Sequence, residues 1–205
     1  YEAITSLDGQ DLSRLQLALV WKPKPGLLAS LPNLRLVVSV GAGVDHILGS
    51  DPLYPRHIPL VRMVDPGLTQ GMCDYVAWAC LSVLREARFY LDQQAAKAWK
   101  TRPLETADQR RVLVLGLGQI GLPVAKTLMG LGFEVEGWSR TAKEVSGLKT
   151  HAGLAGLKTA LGRADMVVNL LPATPETERL MSAETFAHCR PGAAFINAGR
   201  GATVD

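Results

Sequence analysis

Several stretches of this chain bring together residue types that handle anions. Gly116-Leu117-Gly118-Gln119-Ile120-Gly121 fits the spacing GxGxxG. It follows the apolar run Arg111–Leu115 directly, and Ile120, Val124, Leu128 and Leu131 then recur at helical steps. In that setting the first glycine permits a tight turn and the second lets a pyrophosphate approach the backbone. The third lets helix and strand pack closely, and the phosphates meet free N–H groups at the positive end of the helix dipole. This is dinucleotide chemistry. The following strand ends Trp138-Ser139-Arg140-Thr141-Ala142-Lys143. NAD-binding versions carry an acid there for the ribose hydroxyls. A hydroxyl followed by Arg140, Thr141 and Lys143 suits a 2′-phosphate, because the repelling carboxylate is gone and strong donors are present. NADP is therefore favoured, with NAD possible. Glu136 stands nearer the usual spacing but is expected inside the strand, away from the ribose.

Two further turns follow apolar runs. Val40-Gly41-Ala42-Gly43-Val44-Asp45 has successive N–H groups that can form a nest for a carboxylate, and a plain tight turn accounts for it equally well. Asn197-Ala198-Gly199-Arg200-Gly201 falls at the carboxyl end of the last run, the edge where doubly wound sheets bind ligands. Arg200 could reach a substrate carboxylate or carbonyl there, though a surface arginine in a turn is the plainer alternative. His46, His57, His151 and His188 are scattered, and Cys73, Cys80 and Cys189 show no CxxC spacing. No metal centre is expected, and the cysteines read as reduced, buried thiols.

The elements that must position these residues are legible as runs. Leu17–Trp21, Leu34–Val40 and Leu60–Val64 are short, apolar on both faces and separated by Pro and Gly, as a covered parallel sheet requires. From Thr69 to Ala98 the apolar step changes to three and four, which predicts one long helix or two in series. Residues 100–110 read as a linker. Strands are predicted at 111–115, 133–138, 164–171 and 193–197, with helices after Gly121 and over 153–163, helical turns over 175–190, and a loop between Trp138 and residue 153. That alternation predicts an α/β fold with a doubly wound parallel sheet. The expected domains are 1–75 (substrate binding, partial), 76–107 (interdomain helix and linker) and 108–205 (dinucleotide binding, partial).

Composition agrees with this picture. Of 205 residues 47% are hydrophobic and 20% charged, enough apolar matter for a core and too much for disorder. The net charge of +3 argues against a nucleic-acid partner. No run is long enough to span a membrane, and Tyr1-Glu2-Ala3 does not open a signal peptide, so a cytoplasmic protein is expected.

Taken together, GLGQIG at 116–121, NLLPATPET at 169–177, INAGRG at 196–201 and VGAGVD at 40–45 resemble the D-isomer-specific 2-hydroxyacid dehydrogenases. DYVAW at 74–78 through Trp99, and WSR at 138–140, look most like the glyoxylate/hydroxypyruvate reductase branch. The resemblance implies a Rossmann domain beside a flavodoxin-like substrate domain, substrate between them, a nicotinamide cofactor and a homodimer. It implies that Arg200 binds and polarises the 2-oxo acid, that Gly41, Ala42 and Gly43 hold its carboxylate, and that Trp21 lines the pocket. Gln119 and Ile120 would face the pyrophosphate, and Ser139, Arg140 and Thr141 the 2′-phosphate. Leu171, Pro172 and Thr177 would line the adenosine side, and Met72 and Ala198 the nicotinamide. The family's catalytic Glu and His lie downstream of the arginine motif, so both domains are expected to be incomplete here. The implied activity is NADPH-dependent reduction of glyoxylate or hydroxypyruvate. Phosphoglycerate or D-lactate dehydrogenation, or a non-catalytic cofactor-sensing role as in related corepressors, are the alternatives.

Overall fold

Parallel strand pairing organises both sheets of the computed structural model, which describes residues 4–6 and 8–205. The chain divides into two compact units, Tyr1–Asp65 and Pro66–Asp205.

In the first unit β1 (Leu17–Val20), β2 (Leu36–Ser39), the short helix α1 (Asp45–Leu48) and β3 (Leu60–Arg62) follow in order, and the strands pair side by side as β1-β2-β3. One face of this sheet turns Val37 onto a core of Leu28, Leu31, Leu34, Ile47, Tyr54 and Ile58. The other face departs from expectation. Leu17 pairs with Leu36 and Leu19 with Val38, and Val38 pairs in turn with Val61. Leu17, Leu19 and Val61 are exposed, so among the described residues these strands are covered on one side only. Apolar sequence on both faces announces that a strand can be buried twice; the cover itself must come from other elements.

The second unit opens with α2 (Pro66–Leu84) and α3 (Ala87–Ala95). Pro66 occupies the first helical position, where its missing N–H leaves no bond unmade. The two helices are separated at Arg85 and Glu86, with Glu86 in the left-handed region at φ 49°. Cys73, Val76 and Cys80 on α2 are buried with Val124, Ala125 and Leu128 of α4 (Gly121–Gly130). That packing makes the whole of α2 part of the second unit. The division between the units falls at Asp65/Pro66, ten residues before the one read from the sequence, and α2 contributes to the core of the second unit.

Around α4 the chain alternates: β4 (Arg111–Leu115) before it, then β5 (Glu134–Ser139), β6 (Lys149–Ala152), α5 (Gly153–Leu161), β7 (Met166–Asn169), α6 (Ala183–Phe186) and β8 (Ala194–Asn197). The spatial order is β6-β5-β4-β7-β8, all parallel. Successive residues of β4 point to opposite faces: Val112 and Val114 pack with α2 and α4, Leu113 and Leu115 with Trp138, Leu157 and Leu161. The sheet is thus doubly wound, and its order reverses between β4 and β7. Gly132, at φ 94°, ends α4, with Phe133 N–H returned to the Leu128 carbonyl.

The strand β6 was not expected. Its sequence, Lys149-Thr150-His151-Ala152, has no apolar run, because an edge strand with one polar face needs none. Among the described residues no helix is long and apolar enough to cross a membrane.

Candidate functional site

The order reversal between β4 and β7 is where a doubly wound sheet leaves a crevice at its carboxyl edge, and the glycine turn lies at that point. Gly116 adopts φ 96°, which a side chain would strain. A Cβ on Gly121 would stand 1.7 Å from the Gly116 carbonyl oxygen, so helix and turn touch backbone to backbone. A Cβ on Gly118 would meet nothing within 4 Å. The first and third glycines are required by the fold, whereas the second leaves an open cradle. Around it the N–H groups of Gln119 and Ile120 donate to no acceptor among the described residues, at the start of a ten-residue helix. The cradle fits a pyrophosphate. Leu117 does not face it: that side chain is buried against Gly137 of β5.

The loop after β5 is held by hydrogen bonds of its own and by one to the glycine turn. Ser139 is buried and its hydroxyl donates to the Thr141 carbonyl at 2.8 Å, which shapes the loop from within. Arg140 and Thr141 are exposed. Arg140 Nη1 lies 3.3 Å from Glu176 Oε1, and its charge helps hold the Glu176 carboxyl below the usual range, after hydrogen bonds from its own backbone N–H and from Thr174. Lys143 Nζ donates to the Leu117 carbonyl at 2.9 Å, tying this loop to the glycine turn. Glu136 sits inside β5, sealed from solvent. Burial pushes its carboxyl up, but hydrogen bonds from His151 (2.6 Å) and Lys149 (3.2 Å), with the charges of Lys149 and Arg163, bring it below its ordinary value.

After β7, Leu171 is buried against Gly116, and the Thr177 hydroxyl closes the turn that starts at Pro172 by binding its carbonyl. Gly199 must lack a side chain, since a Cβ would stand 2.7 Å from the Leu171 carbonyl oxygen. Three polar residues without an assigned role in the sequence reading hold the arginine segment. Asn169, fully buried at the end of β7, donates to Asn197 Oδ1 (3.0 Å) and Thr203 Oγ1 (2.7 Å). Thr203 and Asn197 both donate to the Arg200 carbonyl, at 2.6 and 3.3 Å. A buried asparagine at a strand end was the signal that could have found them. Met72, on α2, and Ala198, just after β8, are each half-buried.

In the first unit, the turn after β2 has the features of an anion nest. The N–H groups of Ala42 and Gly43 donate to no acceptor among the described residues. The Ala42 carbonyl accepts from Arg62 Nη1 at 3.0 Å, and the Trp21 ring covers Gly41. Among the described residues no group of three His, Cys, Asp or Glu side chains is arranged to hold a metal. Burial raises the Cys80 thiol to about 12, which leaves it un-ionised and inert.

Comparison with known proteins fits this geometry. Residues 77–205 match the family model described as D-isomer specific 2-hydroxyacid dehydrogenase, NAD binding domain. Over 189 residues the chain is 36% identical to glyoxylate/hydroxypyruvate reductase A of Serratia proteamaculans, covering 90% of this chain and 60% of that protein; the Yersinia enterocolitica protein of the same name gives the same figures. A D-isomer specific 2-hydroxyacid dehydrogenase from Xanthobacter autotrophicus Py2, solved with NADPH and MES, superposes with a TM-score of 0.91 at 41% identity, over 96% of this chain and 62% of that one. The NADPH-dependent glyoxylate/hydroxypyruvate reductase of Sinorhizobium meliloti, solved with NADP and sulfate, gives 0.90 at 40%, over 97% and 63%. The chain spans about 60% of the length of the curated relatives it matches.

Proposed function

This chain belongs to the D-isomer specific 2-hydroxyacid dehydrogenase family, and we propose on that footing that the protein reduces a small 2-oxo acid, glyoxylate or hydroxypyruvate, with NADPH. One observation carries the reading. The open cradle at Gly118 and the arginine at position 200 both follow parallel strands of one sheet, β4 and β8, and so stand at the same carboxyl edge. The relatives bound to NADPH or NADP support the choice of cofactor.

A nicotinamide held by the residues named below would supply the hydride for C2 of the 2-oxo acid. The residues of this chain bind and orient the two reactants. Gln119 and Ile120 bind the pyrophosphate through N–H groups, and Arg140 and Thr141 meet the 2′-phosphate; Ser139, expected beside them at the phosphate, donates its hydroxyl to the Thr141 carbonyl and shapes the loop that presents them. Leu171, Pro172 and Thr177 form the wall on the adenosine side, and Met72 and Ala198 lie on the nicotinamide side. Gly41, Ala42 and Gly43 hold the substrate carboxylate beneath Trp21. Arg200 orients the carbonyl and stabilises the charge that develops on its oxygen. It does not supply the proton, since a guanidinium keeps its own; the resemblance implies a histidine for that step, which completes the addition of hydride to C2.

The reading includes a cytoplasmic homodimer. Tyr75, Trp78, Val83 and Leu91 leave exposed apolar surface on α2 and α3, which a second copy would cover. Light scattering at micromolar concentration gives a dimer if this is right and a monomer if it is wrong.

The activity is tested by following NADPH oxidation by the protein of the complete reading frame with glyoxylate, hydroxypyruvate, pyruvate and phosphohydroxypyruvate. Turnover of the first two is expected, and Arg200→Ala should keep cofactor affinity while losing most of kcat/KM. Cofactor binding without turnover of any 2-oxo acid would replace this reading with a sensor.

A further inference from the structure

At the carboxyl end of β2, three successive carbonyls turn onto side chains of their own unit. Ser39 Oγ lies 3.3 Å from the Gly41 oxygen and 3.2 Å from the Gly43 oxygen, while Arg62 takes the Ala42 oxygen between them. Ser39 is fully buried, so its hydroxyl has no solvent to turn to. It carries a single proton, and a further group competes for it: His46 Nε2, 3.4 Å away. With Nε2 bare, the hydroxyl proton goes to the imidazole and the loop carbonyls lose it. With a hydrogen on Nε2, His46 donates to Ser39 and the hydroxyl proton stays with the loop. The imidazole is itself held in place, buried and packed on the Trp21 ring with centroids 4.5 Å apart.

We propose that Ser39 and His46 are positioning residues for the substrate carboxylate: His46, with its hydrogen on Nε2, directs the Ser39 hydroxyl onto the Gly41–Gly43 carbonyls and so keeps the Ala42 and Gly43 N–H groups turned toward the anion. This rests on the reading of that loop as the carboxylate site. A pinned loop has already lost the freedom that a loose one would lose on binding. The carboxylate is not the reacting group, so the loop holds it alike in ground and transition states. Loosening the loop therefore acts on KM rather than kcat.

The test compares Ser39→Ala, His46→Leu and His46→Gln in the protein of the complete reading frame, measuring kcat, both KM values and Tm. Ser39→Ala and His46→Leu should raise KM for the 2-oxo acid by about three- to tenfold, the range of one hydrogen bond, with kcat and the KM of NADPH nearly unchanged. His46→Gln carries an N–H in the same region and should recover most of the loss. A purely packing role for His46 predicts the reverse order, with leucine the better replacement, and that result overturns the proposal. So does an unchanged KM in Ser39→Ala. Should that variant not fold, the two His46 variants decide the matter. Amide spectra of 15N-labelled protein with saturating NADP and added oxamate separate this proposal from the functional reading. Unmoved Ala42 and Gly43 signals in the wild type overturn both. Wild-type shifts that persist at equal affinity in Ser39→Ala and His46→Leu overturn the positioning role alone.

Discussion

The indole of Trp21 occupies the space that a side chain at Gly41 would need: a Cβ there would stand 2.4 Å from Cζ3 of the ring. Trp21 is 54% exposed and can move, so the clash is relieved by displacing the ring rather than by unfolding. Gly41→Ala should accordingly cost under about 1 kcal/mol of stability. It should shift the tryptophan emission and raise KM for the 2-oxo acid, because the cover over the loop is lost. Unaltered emission would mean that the ring does not rest on Gly41 in solution.

Arg140 is already engaged by Glu176. Both side chains are more than half exposed, so the pair adds little to stability but competes with any phosphate that arrives. Glu176→Gln should lower KM for NADPH by about two- to fivefold, leaving Tm and KM for NADH unchanged. Arg140→Ala should cut the preference for NADPH about tenfold, the worth of one charge-assisted contact. Adding Ser139→Asp to Arg140→Ala should reverse the preference. Equal kcat/KM for both cofactors in the wild type would show that this loop does not read the 2′-phosphate.

Gly118 and Gly121 separate ligand binding from folding. At Gly121 an added methyl meets the backbone oxygen of Gly116, so Gly121→Ala should destabilise by about 2–4 kcal/mol. At Gly118 it meets nothing, so Gly118→Ala should keep its Tm while losing NADPH affinity to the methyl that fills the cradle. Thermal melts with and without NADPH distinguish the two, and normal affinity in Gly118→Ala would move the pyrophosphate elsewhere.

Glu136 sets an acid limit on the second unit. Its carboxyl titrates lower in the folded protein than in the unfolded chain, so it contributes stability above the unfolded value of about 4.5. That contribution is lost as pH falls through the folded value. Glu136→Gln should be less stable than the wild type at neutral pH by about 1–3 kcal/mol, with the difference shrinking below pH about 4.5. Denaturant titrations at pH 7 and pH 4 measure this. A constant difference would mean that the carboxylate is not held by His151 and Lys149.

Much of the second unit can be read from local sequence, because its requirements are local. A glycine turn needs particular residues at fixed steps, a strand buried twice shows as an apolar run, and helix α4 carries its own proline start and glycine stop. The turns bearing Gly116, Gly41 and Arg200 are legible for the same reason. What depends on contacts between distant segments is not. Nothing in Lys149-Thr150-His151-Ala152 marks it as a strand; Glu136, thirteen residues earlier, makes it one by pairing with Lys149 and His151 across the ladder. Leu17, Leu19 and Val61 show that apolar faces can be read without revealing what covers them. The assignment of α2 to the second unit was settled by Cys73, Val76 and Cys80 meeting α4. Likewise Asn169 reaches Thr203, and Ser39 meets His46, only once strand ends and turns have been brought together. A residue's type limits the bonds it can make, while the partners that orient it are chosen by the packing of the whole chain.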